Sequence, residues 1–288
     1  MKIYPIRAAI FFAFLCFVPA KPTVAAEINT STYSLEDVLV LPKRIVFEGD
    51  NRKEELSLLN RSDKTLSYAI SFVQYRMTET GRINEISEPA TDEHFADPYI
   101  RFTPNRIVLE PRETQSVRLQ LRKPAALAEG EYRSHLVFRV IPDVVEATGK
   151  QNTASKGISI KISPIYGLSI PVIVRQGILN ATVRMTGLHL VAKDDAGRPA
   201  LVLTVEREGK KSVFGDFEVE WKASGSKTVT IGQMTSIAVY TPNTKRIMTI
   251  PLTLPKGLQL QGGTLSVRYV DASSSDKQLL SESTLEIP

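Results

Sequence analysis

The sequence has 288 residues, 42% of them apolar and 23% charged, with a net charge of +5 at pH 7. Lys2, Arg7 and Lys21 account for three of those charges, so the chain beyond residue 26 carries only about +2; it has no Lys/Arg-rich run with interleaved aromatic residues, and nucleic-acid binding is not expected. The single cysteine, Cys16, leaves no disulfide, cysteine-rich zinc site or thiol catalysis downstream of it.

At the amino terminus, Lys2 and Arg7 precede an apolar stretch from Ala8 to Val18 that is too short to span a bilayer. Pro19 ends it, and the small-residue site Val24-Ala25-Ala26 follows. This is the pattern of a cleavable secretory signal over residues 1–26, with Glu27 opening the mature chain. Cys16 follows the bulky Leu15, which does not suit a lipoprotein site. No later apolar segment approaches spanning length, so export without membrane insertion is expected. About 260 remaining residues suit one large or two ordinary domains, and the strand pattern below divides them as 27–175 and 176–288.

Beyond the signal, apolar residues alternate with a period of two between Gly, Pro, Asn and Asp, the pattern of half-buried antiparallel strands. The first set of predicted strands is Val38 to Phe47, Glu54 to Asn60, Leu66 to Tyr75, Tyr99 to Thr103, Arg106 to Leu109, Gln115 to Leu121, Tyr132 to Ile141 and Ile158 to Val174. Their number and spacing suit one immunoglobulin-like β-sandwich. The loop from Asp143 to Lys156 is long for a hairpin and is expected to be mobile. After Arg175-Gln176-Gly177, a second set runs through Asn180 to Met185, Leu188 to Ala192, Ala200 to Arg207, Ser212 to Lys222, Thr228 to Ile231, Arg246 to Leu252, Thr264 to Asp271 and Leu279 to Ile287. The expected fold class is all-β, with two immunoglobulin-like sandwiches.

One segment is too long for an ordinary strand. From Ile158 to Val174 every even position is apolar: Ile158, Ile160, Ile162, Pro164, Tyr166, Leu168, Ile170, Val172 and Val174. Strands usually run about five or six residues, and a domain of this size covers only part of such a stripe. An apolar row left on an edge invites aggregation, unless it is used for strand addition to a partner. Burying four such side chains in a partner contributes on the order of 6 to 12 kcal/mol before ordering costs. The competing reading makes the strand wholly internal, divided by Pro164 or Pro171.

Several motifs in order resemble the PapD-like periplasmic chaperones of the chaperone-usher pathway. They are LPKRIVFEG (Leu41 to Gly49), ELSLLNRSDKTLSYAISF, FTPNRIVLEPRETQSVRLQL, EYRSHLVFRVIP and ISIKISPIYGLSIPVIVR, and the match covers the first predicted domain. The resemblance implies two sandwiches in an L-shaped arrangement in a periplasmic protein. It implies that pilus or fimbrial subunits are bound by donor-strand complementation through Ile158, Ile160, Ile162, Pro164, Tyr166 and Leu168, and passed to an outer-membrane usher. Proteins of this family can also cap their own strands by forming homodimers. Arg44 matches the family residue that holds the subunit's terminal carboxylate, a task suited to a planar, permanently charged guanidinium. The family's second cleft cation, a lysine, has no direct counterpart: Gly167, Ser169 and Pro171 stand nearest, and Lys161 is the candidate on the correct face. Glu131 and Arg175 match residues whose charges set the interdomain angle, with Asp271 as a third member. As surface pairs these would contribute roughly 0 to 1 kcal/mol.

No reactive constellation suggests an enzyme, a cofactor or a metal. His94, His135 and His189 are scattered without ligand spacing, and His135 reads as a packed or surface histidine. The acidic cluster Glu85, Glu88, Asp92 and Glu93 lacks calcium-loop order and reads as solvated. The rival to a chaperone is a structural or adhesive surface protein built of Ig-like domains.

Overall fold

A computed structural model describes residues 37–142, 167–223, 225–255, 260–273 and 276–288. All of them belong to one compact unit of the chain. The signal-like residues 1–26 and the Asp143 to Lys156 loop lie outside the described residues.

The first ten strands are β1 (Val38–Leu41), β2 (Ile45–Phe47), β3 (Lys53–Asn60), β4 (Leu66–Met77), β5 (Ile83–Ile86), β6 (Ile100–Thr103), β7 (Arg106–Leu109), β8 (Thr114–Leu121), β9 (Gly130–Val140) and β10 (Gly167–Gln176). They form a four-stranded sheet ordered β1-β3-β8-β6, and a second sheet ordered β2-β10-β9-β4-β5 in which β7 also pairs with β4. Side chains from the inner faces interlock in one core that includes Ile45, Phe47, Leu56, Leu119, Phe138 and Val172. The period-two pattern predicts this arrangement directly. In β8, for example, Val117, Leu119 and Leu121 are buried while Arg118 and Gln120 are exposed.

The remaining strands are β11 (Ala181–Val191), β12 (Ala200–Gly209), β13 (Val213–Lys222), β14 (Val229–Val239), β15 (Lys245–Pro251), β16 (Thr264–Asp271) and β17 (Leu279–Glu286). They form sheets β11-β12-β15 and β14-β13-β16-β17 around a second core, with Trp221, Phe217 and Tyr269 at its centre. Phe217 and Tyr269 stack at 4.3 Å, and the Tyr269 hydroxyl donates to Ile237 O at 2.8 Å. The protein is therefore all-β, two β-sandwiches in sequence.

Three predicted strands prove to be divided differently. Val38 to Phe47 is not one strand but two in different sheets, because β1 pairs with β3 whereas β2 runs parallel to β10. Pro42, which has no backbone N–H to donate to a ladder, lies at the crossing. Conversely, Asn180 to Met185 and Leu188 to Ala192 join into β11, whose register shifts between Thr186 and His189. Strand β5 was not expected from its sequence; the turn at Gly81 brings it back onto β4.

Asn60, at the end of β3, closes the first sandwich at one corner. Fully buried, it donates to Lys64 O at 2.7 Å, Leu109 O at 3.1 Å and Glu110 O at 3.0 Å, and its oxygen accepts from Ser62 N at 2.9 Å. Asn60→Ala leaves these buried carbonyls without a donor, so chemical denaturation should show a loss of about 1–3 kcal/mol. A change under about 0.5 kcal/mol would show that water replaces the amide.

Candidate functional site

Strand β10 has two differently covered edges. Along its whole length from Gly167 to Gln176 it pairs with β9. On the other edge β2 covers only Val172, Ile173 and Val174. Among the described residues, the main chain from Gly167 to Pro171 is therefore unpaired on that side. Facing it is β1, itself the last strand of its sheet. Between them lies a groove of about 680 Å³ bordered by Val38, Val40, Lys43, Leu168, Ser169 and Ile170.

Of the apolar row, Ile170, Val172 and Val174 are buried in the protein's own core, and Leu168 is half-buried at the groove. The end of the row is thus internal, as both readings of the stripe allow. Ile158, Ile160, Ile162, Pro164, Tyr166 and the candidate cation Lys161 lie outside the described residues.

Arg44 immediately precedes the parallel ladder that begins at Ile45 and Val172. Alternation sends Ile45 and Phe47 into the core and turns Arg44 and Val46 to the opposite face, toward the second sandwich. The Arg44 guanidinium carbon lies 4.7 Å from the ring centre of Phe214 on β13. All three of its nitrogens are buried and have no hydrogen-bond partner among the described residues. Burial pulls its pKa below the ordinary arginine value; the charge of Arg175 acts in the same direction, against Tyr240, Glu131 and Asp271. The planar fork of a guanidinium matches a carboxylate in geometry and charge.

Glu131 and Arg175 are brought together, and their pair is buried rather than superficial. Arg175 Nε donates to Glu131 Oε2 at 3.1 Å, and 0% of the Glu131 side chain and 5% of that of Arg175 are exposed. From the second sandwich, Ser212 N donates to Glu131 Oε2 at 3.1 Å, Ser212 Oγ donates to Oε1, and Thr241 Oγ1 donates to Oε1 at 3.2 Å. Arg175 Nη1 also reaches Glu48 at 2.9 Å. Asp271 does not join this group: its carboxylate accepts from Ser273 N at 2.6 Å, in its own turn.

Sequence reasoning passed over Arg133. It lies on β9 between Glu131 and His135, all three on the outer face, and each is buried. Its guanidinium carbon sits 4.3 Å over the Tyr240 ring, and it donates to Thr241 O at 3.2 Å and Tyr75 O at 3.1 Å. Burial lowers the Arg133 pKa and the Arg44 charge adds to it, while Tyr240 acts to raise both arginines. A second cation thus stands near Arg44 on β9, whereas the family resemblance points to the β10 segment. The signal was available in EYRSH, where charged or polar side chains alternate in phase along a strand whose other face is core. The acidic cluster is also corrected in one member: Glu93 is buried and accepts from Arg76 Nη2 at 2.6 Å and Ala90 N at 3.0 Å. Among the described residues, no group of three or more His, Cys, Asp or Glu could hold a metal ion, and no helix is long and apolar enough to cross a membrane.

No protein-family model matches the sequence, and no curated protein matches it. Among solved structures the chain is similar to the YadV chaperone, with 11% identity and a TM-score of 0.42 over 87% of this chain and 100% of that one. It is similar to the CupB2 chaperone of Pseudomonas aeruginosa, with 14% identity and a TM-score of 0.40 over 86% and 99%. A chain in the complex of the Salmonella enterica SafA pilin with the SafB chaperone matches with 13% identity and a TM-score of 0.40 over 89% and 99%.

Proposed function

We propose that this protein is a periplasmic chaperone, exported by its signal, that holds incomplete pilus or fimbrial subunits by donor-strand complementation and delivers them to an outer-membrane usher. The carrying observation is the buried guanidinium of Arg44, which has no hydrogen-bond partner among the described residues, beside the β10 edge left unpaired among them. A buried guanidinium whose donors lack acceptors destabilises the free protein, and a client's terminal carboxylate would complete its fork. The edge of β10 from Gly167 to Pro171 offers main-chain groups for strand addition, and Leu168 offers the last side chain of the apolar row. The row continues in sequence through Tyr166, Pro164, Ile162, Ile160 and Ile158, which complete the donor segment in this reading.

The test is co-expression of the mature chain with candidate secreted subunits, followed by purification at a fixed ratio. Hydrogen bonds to a charged group contribute about 1.5–3 kcal/mol, so Arg44→Gln should weaken capture by about 10- to 100-fold. The pair Ile160→Asp and Ile162→Asp should abolish it. Undiminished capture by both variants would overturn the reading. Recovery of the protein in the finished fibre, not in the periplasm, would favour the adhesive alternative.

A further inference from the structure

One stretch of the second sandwich is fastened to the first at every other residue. Thr241 Oγ1 donates to Glu131 Oε1 at 3.2 Å, Asn243 Nδ2 donates to Met77 O at 2.8 Å, Lys245 Nζ meets Glu79 Oε2 at 3.2 Å, and Ile247 N donates to Glu79 O at 2.7 Å. The two ends of this row differ in their access to water. The Glu131 side chain is fully buried, whereas 50% of the Lys245 side chain and 54% of that of Glu79 are exposed. Ile247 lies on β15, an edge strand of its sheet, and gives its N–H to the β4–β5 turn. The turn is itself closed, by Thr78 N to Arg82 O at 2.8 Å and Gly81 N to Thr78 O at 2.9 Å, so it meets β15 as one body.

The docked turn is tied to the cover of Arg44. Gly81 abuts the Arg246 guanidinium, Arg246 Nη1 donates to Ala238 O at 2.6 Å, and Ala238 pairs across the ladder with Phe214, whose ring lies against Arg44. Met77, Ile173, Ala238 and Tyr240 form one buried cluster, and both Phe214 and Val46, two residues beyond Arg44, pack against it. All three Arg44 nitrogens are buried under this cover, so an anion reaches them only if the sandwiches part. We propose that the β4–β5 turn is a latch that holds the second sandwich closed over Arg44, and that a carboxylate reaches the guanidinium only when the turn leaves β15. The row opens from its exposed end, and the buried Glu131 end is the pivot. This rests on the chaperone reading only for the identity of the anion. Domain closures of this kind turn on a few residues at element ends, and a site that must first open binds with an affinity reduced by the fraction that is closed.

Phenylglyoxal, a neutral reagent for guanidinium groups, tests the latch in the full mature protein with no client present, the labelling of each arginine being read by mass spectrometry. Arg44 should label far more slowly than Arg118, whose side chain is 77% exposed. Asn243→Ala with Ile247→Pro removes two of the fastening donors, and an edge strand tolerates proline where the N–H faces away from the ladder. Loss of two ordinary hydrogen bonds should speed Arg44 labelling about 10-fold or more, with Trp221 emission and circular dichroism unchanged. Lys245→Glu, an exposed change that leaves both sandwiches intact, should speed it about 3-fold by setting like charges together, and Glu79→Lys on that background should restore the parent rate. Labelling of Arg44 as fast as Arg118 in the parent, or at one rate in the parent and in both latch variants, overturns the latch while the chaperone reading stands. Faster labelling in the variants of a protein that captures no secreted subunit keeps the latch and overturns the carboxylate as its ligand.

Discussion

Glu131→Ala should lower the unfolding free energy by about 3–5 kcal/mol, the largest effect expected of any polar substitution in this protein. The carboxylate is the acceptor for four donors, one from Arg175 and three from the Ser212 and Thr241 segments of the second sandwich. Its removal leaves the buried Arg175 guanidinium with only the half-exposed Glu48 as counter-charge. It also leaves Ser212 N without its acceptor. The loss should divide the molecule as well as weaken it, because the same oxygens bind residues of both sandwiches. Urea unfolding followed by Trp221 fluorescence, which reports the second sandwich, and by circular dichroism should give coincident curves in the parent and separated curves in the variant. Arg175→Ala on the Glu131→Ala background should cost much less than Arg175→Ala alone, giving a coupling of roughly 1–3 kcal/mol. A loss below about 1 kcal/mol for Glu131→Ala would mean that the pair is solvated in solution.

Acid should destabilise the protein through His135. Burial, with the Arg133 charge adding to it, lowers the His135 pKa from its ordinary 6.5 to about 3. Its ring lies edge-on to Tyr75 at 5.1 Å and Tyr240 at 6.3 Å, and its Nδ1 has no partner among the described residues. The folded state thus holds the neutral ring, while the unfolded chain takes up a proton near pH 6.5. Between those two pKa values the unfolded state binds more protons, so stability falls as the pH drops, by up to about 1.4 kcal/mol per unit. From pH 6.5 to 4.5 the loss attributable to this group is about 2–3 kcal/mol, and none of it is expected above pH 7. His135→Gln, compared with the parent by urea unfolding at pH 7 and pH 4.5, should remove that share. The difference between the two proteins isolates His135 from the carboxylates, of which Asp194 and Glu206 are held below their ordinary range mainly by hydrogen bonds. Identical acid sensitivity of the two would show that the ring is hydrated in the native state.

The two effects share an origin in β9. All but one of its eleven residues are buried, because one face lies on the first core and the other meets the second sandwich. Where the sandwiches meet, Asn243 Nδ2 donates to Met77 O at 2.8 Å and Ile247 N donates to Glu79 O at 2.7 Å. The β4–β5 turn supplies Glu79 and Gly81. Gly81 has a φ of +83° and lies so close to the Arg246 guanidinium that any side chain there would displace it. That turn is polar and short, and nothing in its local pattern announces a docking role.

What the amino-acid order determined on its own is the phase of each strand. In Thr264 to Asp271, Leu265, Val267 and Tyr269 are the core residues that alternation requires, and the strand ends where it was expected to end. Within β2 the same alternation turns Ile45 and Phe47 inward and leaves Val46 on the outer face. Phase does not say what covers the outer face, and that is where tertiary structure decided. Glu131 and Arg175 read as a superficial pair because each sits on the polar side of its own strand. Ser212 and Thr241, some 80 and 110 positions beyond Glu131, arrive from the second sandwich and bury them. Arg133 escaped notice for the same reason, as did the division of Val38 to Phe47 between two sheets. Alternation is a property of neighbours along the chain, whereas the removal of water from a charge depends on segments that the chain brings back from far away.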